Sequence, residues 1–208
     1  MDSVFLSSTQ YLFLRASKGD DTIASEGYIS FFTPQGFFAA LGHNESNPSI
    51  PYADAEVCAI GSTSDELIQI GRILVSQPTG IYGAFYDDYE PPILNIMPIV
   101  ALSDIEASAP AELWMTDVSG TLRVYSGVIV VLFPDKQYPV LFEVTDDQFP
   151  GASFGSSGSV VVQAGRIAAV VAGANTYPAR LLYCTSAEQM MMDLKAMIQE
   201  LVGLEKDS

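Results

Sequence analysis

The sequence predicts a mainly β protein, a barrel or sandwich of short strands followed by one C-terminal α-helix. Three observations predict it. Short apolar runs recur along the chain with turn residues between them, as in all-β barrels and sandwiches. Apolar residues make up 49% of the 208 and charged residues only 16%, which excludes a disordered chain and implies much buried sheet. A clear helical period occurs at one place only, the C-terminus. The length is ample for a real core.

The elements follow in order. GYISFF, the turn TPQG and FFAALG read as strand, turn and strand. EVCAI, LIQIGRILV and GIYGAF continue the pattern, with PTG at 78–80 as a loop. YDDYEPP at 86–92 is a further loop, and Pro91–Pro92 is the expected division between two lobes. AELWMTDVSGTLRVYSGVIVVLF holds a hairpin turned at VSG, and PDKQ turns the chain into YPVLFEV. SVVV, the turn QAG and RIAAVV form another hairpin. Thr185 or Ser186 then caps a helix, with Gln189 three residues beyond Ser186. Met190, Leu194, Met197, Leu201 and Leu204 recur at helical spacing, a face expected to pack on the barrel.

Charge narrows the partners. The net charge is −16, with nine basic residues in all, so the chain lacks the basic footprint that nucleic-acid binding needs. An anionic membrane surface would repel it for the same reason. The opening MDSVFLSSTQYLFLR has no basic n-region and no unbroken apolar run. It reads as neither signal peptide nor membrane span, so the expectation is a soluble chain, cytoplasmic or exported by a segment outside it. Cys58 and Cys184 make no disulfide framework and lack metal spacing; both are expected to be reduced thiols.

Two stretches carry the chemistry. His43 is the one histidine and ends FFAALGH, directly after a β-like run. A hydrogen-bonded structural histidine is the plain reading, but if the protein uses an imidazole base, His43 is the single candidate. GSSGS holds Ser156, Ser157 and Ser159, with Gly155 and Gly158 on either side of Ser157. A nucleophilic serine needs a tight turn, backbone N–H groups aimed at the developing oxyanion, and a base in reach. In such a turn the N–H groups of Gly155 and Ser157 form the oxyanion hole. A Gly/Ser turn is common, and the informative part is its context before two β-branched runs.

That context resembles the nucleophile loop of chymotrypsin-like serine peptidases, and FFAALGH resembles the strand end that carries their histidine. More specifically, the chain resembles the SpoIVB-type peptidases, the stage IV sporulation peptidases of spore-forming bacteria. GYISFFTPQGFFAALGH, GRILVSQPTGIYGAF, MPIVALSDIEASAPAELWMTDVSG, FEVTD and GSSGSVVVQAGRIAAVVAGA are similar to its motifs in the same order. The match covers about residues 26–200. It implies a single peptidase domain over 1–208, with two β-barrel lobes and a cleft between them. It also implies a triad of His43 as general base, Asp146 as orienting acid and Ser157 as nucleophile, acting on a protein or peptide substrate through an acyl-enzyme. Asp147, Asp87 and Asp88 are the alternative acids. Ser156 stands where the family has methionine, Val160 replaces a proline, and the interval from Asp146 to Ser157 is short for the family. The resemblance implies a sporulation-associated signalling protease; the alternative is a catalytically inactive binding or regulatory domain on the same fold. No metal or organic cofactor is implied. Asp20–Asp21 and Glu45 read as solvated loop acids, and Trp114 as core.

Overall fold

The computed structural model describes residues 3–7, 10–17, 20–42, 56–60, 67–116, 121–152, 156–174 and 179–207. His43, Glu45, Gly155 and the VSG turn at 118–120 lie outside the described residues. The first lobe contains β1 (Ser3–Leu6), β2 (Gln10–Ser17), β3 (Asp20–Phe32), β4 (Phe37–Gly42), β5 (Glu56–Ile60), β6 (Leu67–Gln77), β7 (Gly80–Phe85) and β8 (Asn95–Pro98). Their order is β2-β5-β6-β7-β4-β3-β1-β8, and β2 also pairs with β3, so six of these strands form a closed circuit. The second lobe contains β9 (Pro110–Thr116), β10 (Leu122–Leu132), β11 (Val140–Val144), β12 (Val160–Gln163), β13 (Arg166–Ala174) and β14 (Leu181–Ser186). They close into a barrel in the order β10-β11-β14-β13-β12-β9. Helix α1 (Ala187–Lys206) follows.

Local chemistry explains these elements. β12 and β13 are β-branched runs joined by Ala164 and Gly165, both at positive φ (51° and 73°), the backbone of a tight hairpin turn. Gly36, at φ +88°, lets TPQG turn β3 into β4. α1 starts where expected: Ser186 is the N-cap, and its hydroxyl accepts the Gln189 N–H at 3.3 Å.

Each lobe has its own core. Ile29, Phe38, Ile70 and Ile73 fill the first, and Leu113, Ile129, Phe142 and Leu182 the second. A third cluster joins the lobes: Phe31 and Tyr82 from the first pack with Val160, Val162 and Ile167 from the second. Met190, Leu194 and Met197 of α1 lie in this shared cluster, so the methionine-rich face packs inward as expected. The Thr79 hydroxyl donates to the Asp193 carboxylate on α1, and the Tyr82 hydroxyl donates to it at 3.3 Å.

Three expectations are corrected. The lobes do not divide at Pro91–Pro92, because β8 returns beyond them to pair antiparallel with β1; the crossing lies in 99–109. Leu204 is 64% exposed, since α1 runs past the surface it covers. Asp20 and Asp21 open β3, paired with Ser17 and Ala16, rather than lying in a loop. Leu194 is fully buried between the lobes, so Leu194→Ala is expected to lower unfolding stability by about 2–5 kcal/mol in a urea titration.

Candidate active site

The serine turn is built from backbone bonds reaching both lobes. On one side, the Tyr28 N–H in β3 donates to the Ser157 carbonyl at 2.9 Å. On the other, the Gly158 N–H donates to the Val171 carbonyl in β13 at 2.9 Å, and the Val171 N–H donates to the Ser159 carbonyl at 2.8 Å. The Ser159 N–H closes the turn on the Ser156 carbonyl at 3.2 Å. Gly158 sits at φ +95°, and a Cβ there would lie 2.3 Å from the Tyr28 carbonyl oxygen. Only glycine meets both conditions.

Tyr28 is held from its other end as well. Its phenol donates to the Thr116 carbonyl at 2.7 Å, and the Thr116 hydroxyl donates back to the phenol at 3.0 Å. Beside it, Ser30 Oγ, Trp114 Nε1 and Ser159 Oγ are buried without a hydrogen-bond partner. All three residues line one cavity of about 20 Å³ between β3, β9 and the start of β12. That volume admits a single water molecule, and three polar partners are what such a water requires. Trp114 accordingly contributes a polar edge to the lobe junction as well as packing against the shared cluster.

Ser157 is only 5% exposed. Its Oγ donates to the Ala172 carbonyl over a long 3.4 Å. Gly42, the residue before His43, pairs with Gly27, which neighbours Tyr28 in β3. Gly42 and Ser157 therefore each stand one backbone-pairing step, about 5 Å, from the Gly27–Tyr28 segment. Ser156 and Ser159 are also buried, so all three serines of GSSGS are shielded from solvent.

Asp146 follows β11 and is half-buried. One carboxylate oxygen accepts the Gln148 N–H at 2.9 Å, the other the Ser126 N–H at 3.4 Å. Arg180 donates to the Asp146 carbonyl at 2.8 Å. Asp147 and Asp88 are exposed. Asp87 is exposed too and lies in the loop after β7, lining a cavity with Phe32 and Thr33, four and five residues beyond Tyr28 where β3 ends. Cys58 and Cys184 are buried in different lobes and share no disulfide, and burial pushes the Cys184 thiol well above its ordinary range. No group of His, Cys, Asp and Glu able to hold a metal occurs among the described residues.

Sequence reasoning found the serine turn but missed Tyr28 and Thr116. Tyr28 acts on the turn through its main-chain N–H and carbonyl, which every non-proline residue carries, so no sequence signal marks that role.

No family model and no curated protein matches the sequence. Solved structures do match the fold. The HtrA-type protease AlgW with a decapeptide aligns over 95% of this chain and 64% of its own, with TM-score 0.55 and 10% identity. The serine endoprotease from Yersinia pestis aligns over 94% and 64%, with TM-score 0.57 and 11% identity. The MamO protease domain from Magnetospirillum magneticum, in its apo form, aligns over 88% and 94%, with TM-score 0.50 and 12% identity. The chain thus spans 64% of the length of the AlgW chain. The fold is the two-lobed, chymotrypsin-like β fold that these serine protease structures share.

Gly158→Ala combines a positive φ with a backbone clash. It is expected to lower stability by at least about 2 kcal/mol, read as a fall in the thermal midpoint.

Proposed function

We propose that the chain is a serine endopeptidase in which Ser157 attacks a peptide carbonyl and His43 takes its proton. His43 then returns the proton to the leaving amine, and water hydrolyses the acyl-enzyme. The N–H groups of Gly155 and Ser157 bind the oxyanion, and Asp146 orients the imidazole. The substrate is a protein or peptide. The SpoIVB-type motifs supply the narrower reading of a sporulation-associated signalling protease.

One observation carries the proposal. Gly42, which precedes His43 in the sequence, pairs with Gly27, and the neighbouring Tyr28 N–H binds the Ser157 carbonyl. A histidine base and a serine on a Gly-bounded turn between two lobes are what acyl transfer needs. The serine-protease fold supports the reading, and AlgW has been solved with a decapeptide and with a tripeptide.

A second reading also has an observation behind it. The Ser157 hydroxyl is buried against the Ala172 carbonyl, and both Asp146 oxygens accept backbone N–H groups. A catalytically inactive binding domain would retain just such a closed loop.

Labelling with a fluorophosphonate probe separates the two. Covalent labelling of the wild type, abolished in Ser157→Ala and in His43→Ala, is the expected outcome. A folded wild type that takes no label refutes the activated serine. Asp146→Asn is expected to slow labelling by orders of magnitude while Asp147→Asn leaves it near wild type, because loss of the orienting acid puts the imidazole in the wrong tautomer. Equal rates in both variants would remove Asp146 from the triad.

A further inference from the structure

The first lobe carries a second concave site where β3 ends, beyond Tyr28. Tyr28 meets Ser157, whereas Thr33, five residues on, lies at the rim of an open cavity of about 430 Å³. At strand rise that is about 16 Å from the serine turn. The cavity lies between the β3–β4 turn and the loop after β7.

Its floor is aromatic. Phe85 meets Phe32 edge to face at 5.5 Å between ring centroids, Tyr89 stands 5.5 Å from Phe85, and Phe5 stands 5.4 Å from Phe32. Its charged lining is acidic only: Asp87 and Glu90, both exposed. Ile93, 55% exposed, adds an apolar wall. The Tyr86 hydroxyl turns away to donate to Glu56 at 2.6 Å, which with partial burial holds the phenol up at about 12. It therefore stays neutral and adds no charge to the site at physiological pH.

The partly exposed rings of Phe5 and Tyr89 in the lining, with carboxylates at the rim, suit one kind of guest, an aliphatic stem ending in a cation. The stem packs on the rings and Ile93, the cation lies over the π-faces, and the carboxylates complete it. The chain's net charge of −16 adds a long-range pull on cations and repels anions. We propose that this cavity docks an arginine or lysine side chain of a peptide or protein partner. A planar guanidinium suits it better, because it stacks on rings and pairs with carboxylates in a fork. Docking here does not depend on Ser157 being reactive.

The test is an NMR titration of the full-length Ser157→Ala chain with the peptide acetyl-Ala-Arg-Ala-amide, and with its citrulline counterpart. Citrulline keeps the shape and removes the charge. The expected result is saturable shifts at Gln35, Gly36 and Tyr89, with binding at least about fivefold weaker for citrulline. The Asp87→Asn/Glu90→Gln variant, altered only at exposed positions, is expected to lose the binding. Equal affinity for both peptides, undiminished binding in that variant, or no shifts at those residues overturns the proposal. Shifts confined to residues around Ser157 overturn it too, since they place the peptide in the cleft between the lobes.

Discussion

The structure depends on a close approach of two backbones. The Tyr28 carbonyl occupies the space where a side chain on Gly158 would sit, and the Tyr28 N–H holds the Ser157 carbonyl. Any Cβ at position 158 would push the serine turn off β3. The bonds to Val171 would then have to break or the lobes would have to part. The phenol of Tyr28 is tied to Thr116 on the second lobe, so one residue of the first lobe is fixed to the second through both its main chain and its side chain. Buried polar groups at such a junction cost stability unless each is satisfied. That gives the small cavity shared by Ser30, Trp114 and Ser159 its significance.

A second junction adjoins it through Trp114 and Val160 and works by different physics. Apolar side chains of α1 fill the cluster shared by the lobes, and Asp193 accepts hydroxyls from Thr79 and Tyr82. Burial, more than the neighbouring carboxylate, drives the Tyr82 phenol far above its ordinary range. The phenol remains a neutral donor to Asp193 at physiological pH. The helix therefore acts as a fixed strap, while the serine turn is held by directional backbone bonds. Non-directional burial sets how near the lobes come, and hydrogen bonds set their register.

Legibility in the sequence followed how local each cause was. β12, its turn and β13 were readable because valine-rich runs and a glycine turn are local signals, and Ser186 was readable as a cap for the same reason. β1 and β8 were not, since SVFL and NIMP are four-residue strands made by pairing with each other. Missing β8 is also why Pro91–Pro92 looked like a boundary. The first half of β3, DDTIASE, has few apolar residues and is strand because β2 pairs with it. β14 runs into α1 with no turn between them, so nothing in LLYCTS separates strand from helix lead-in. In the candidate site, glycine and serine were visible as residue types. The partner that makes Gly158 necessary lies 130 positions away in the chain and acts through its main chain.

The two demands on the serine turn can now be separated. The fold needs the Ser157 carbonyl, which Tyr28 binds, and it needs Gly158 to lack a side chain. It does not need the Ser157 hydroxyl, whose 3.4 Å bond to the Ala172 carbonyl lies at the weak limit of hydrogen bonding. Alanine would serve the turn as well and would avoid burying a poorly bonded polar atom. Gly158 is therefore explained by architecture whether or not the protein is an enzyme, and carries no weight in choosing between the two readings. The hydroxyl does carry weight. It is a buried, weakly bonded polar atom that the turn does not require, and acyl transfer is the chemistry that would give it a purpose.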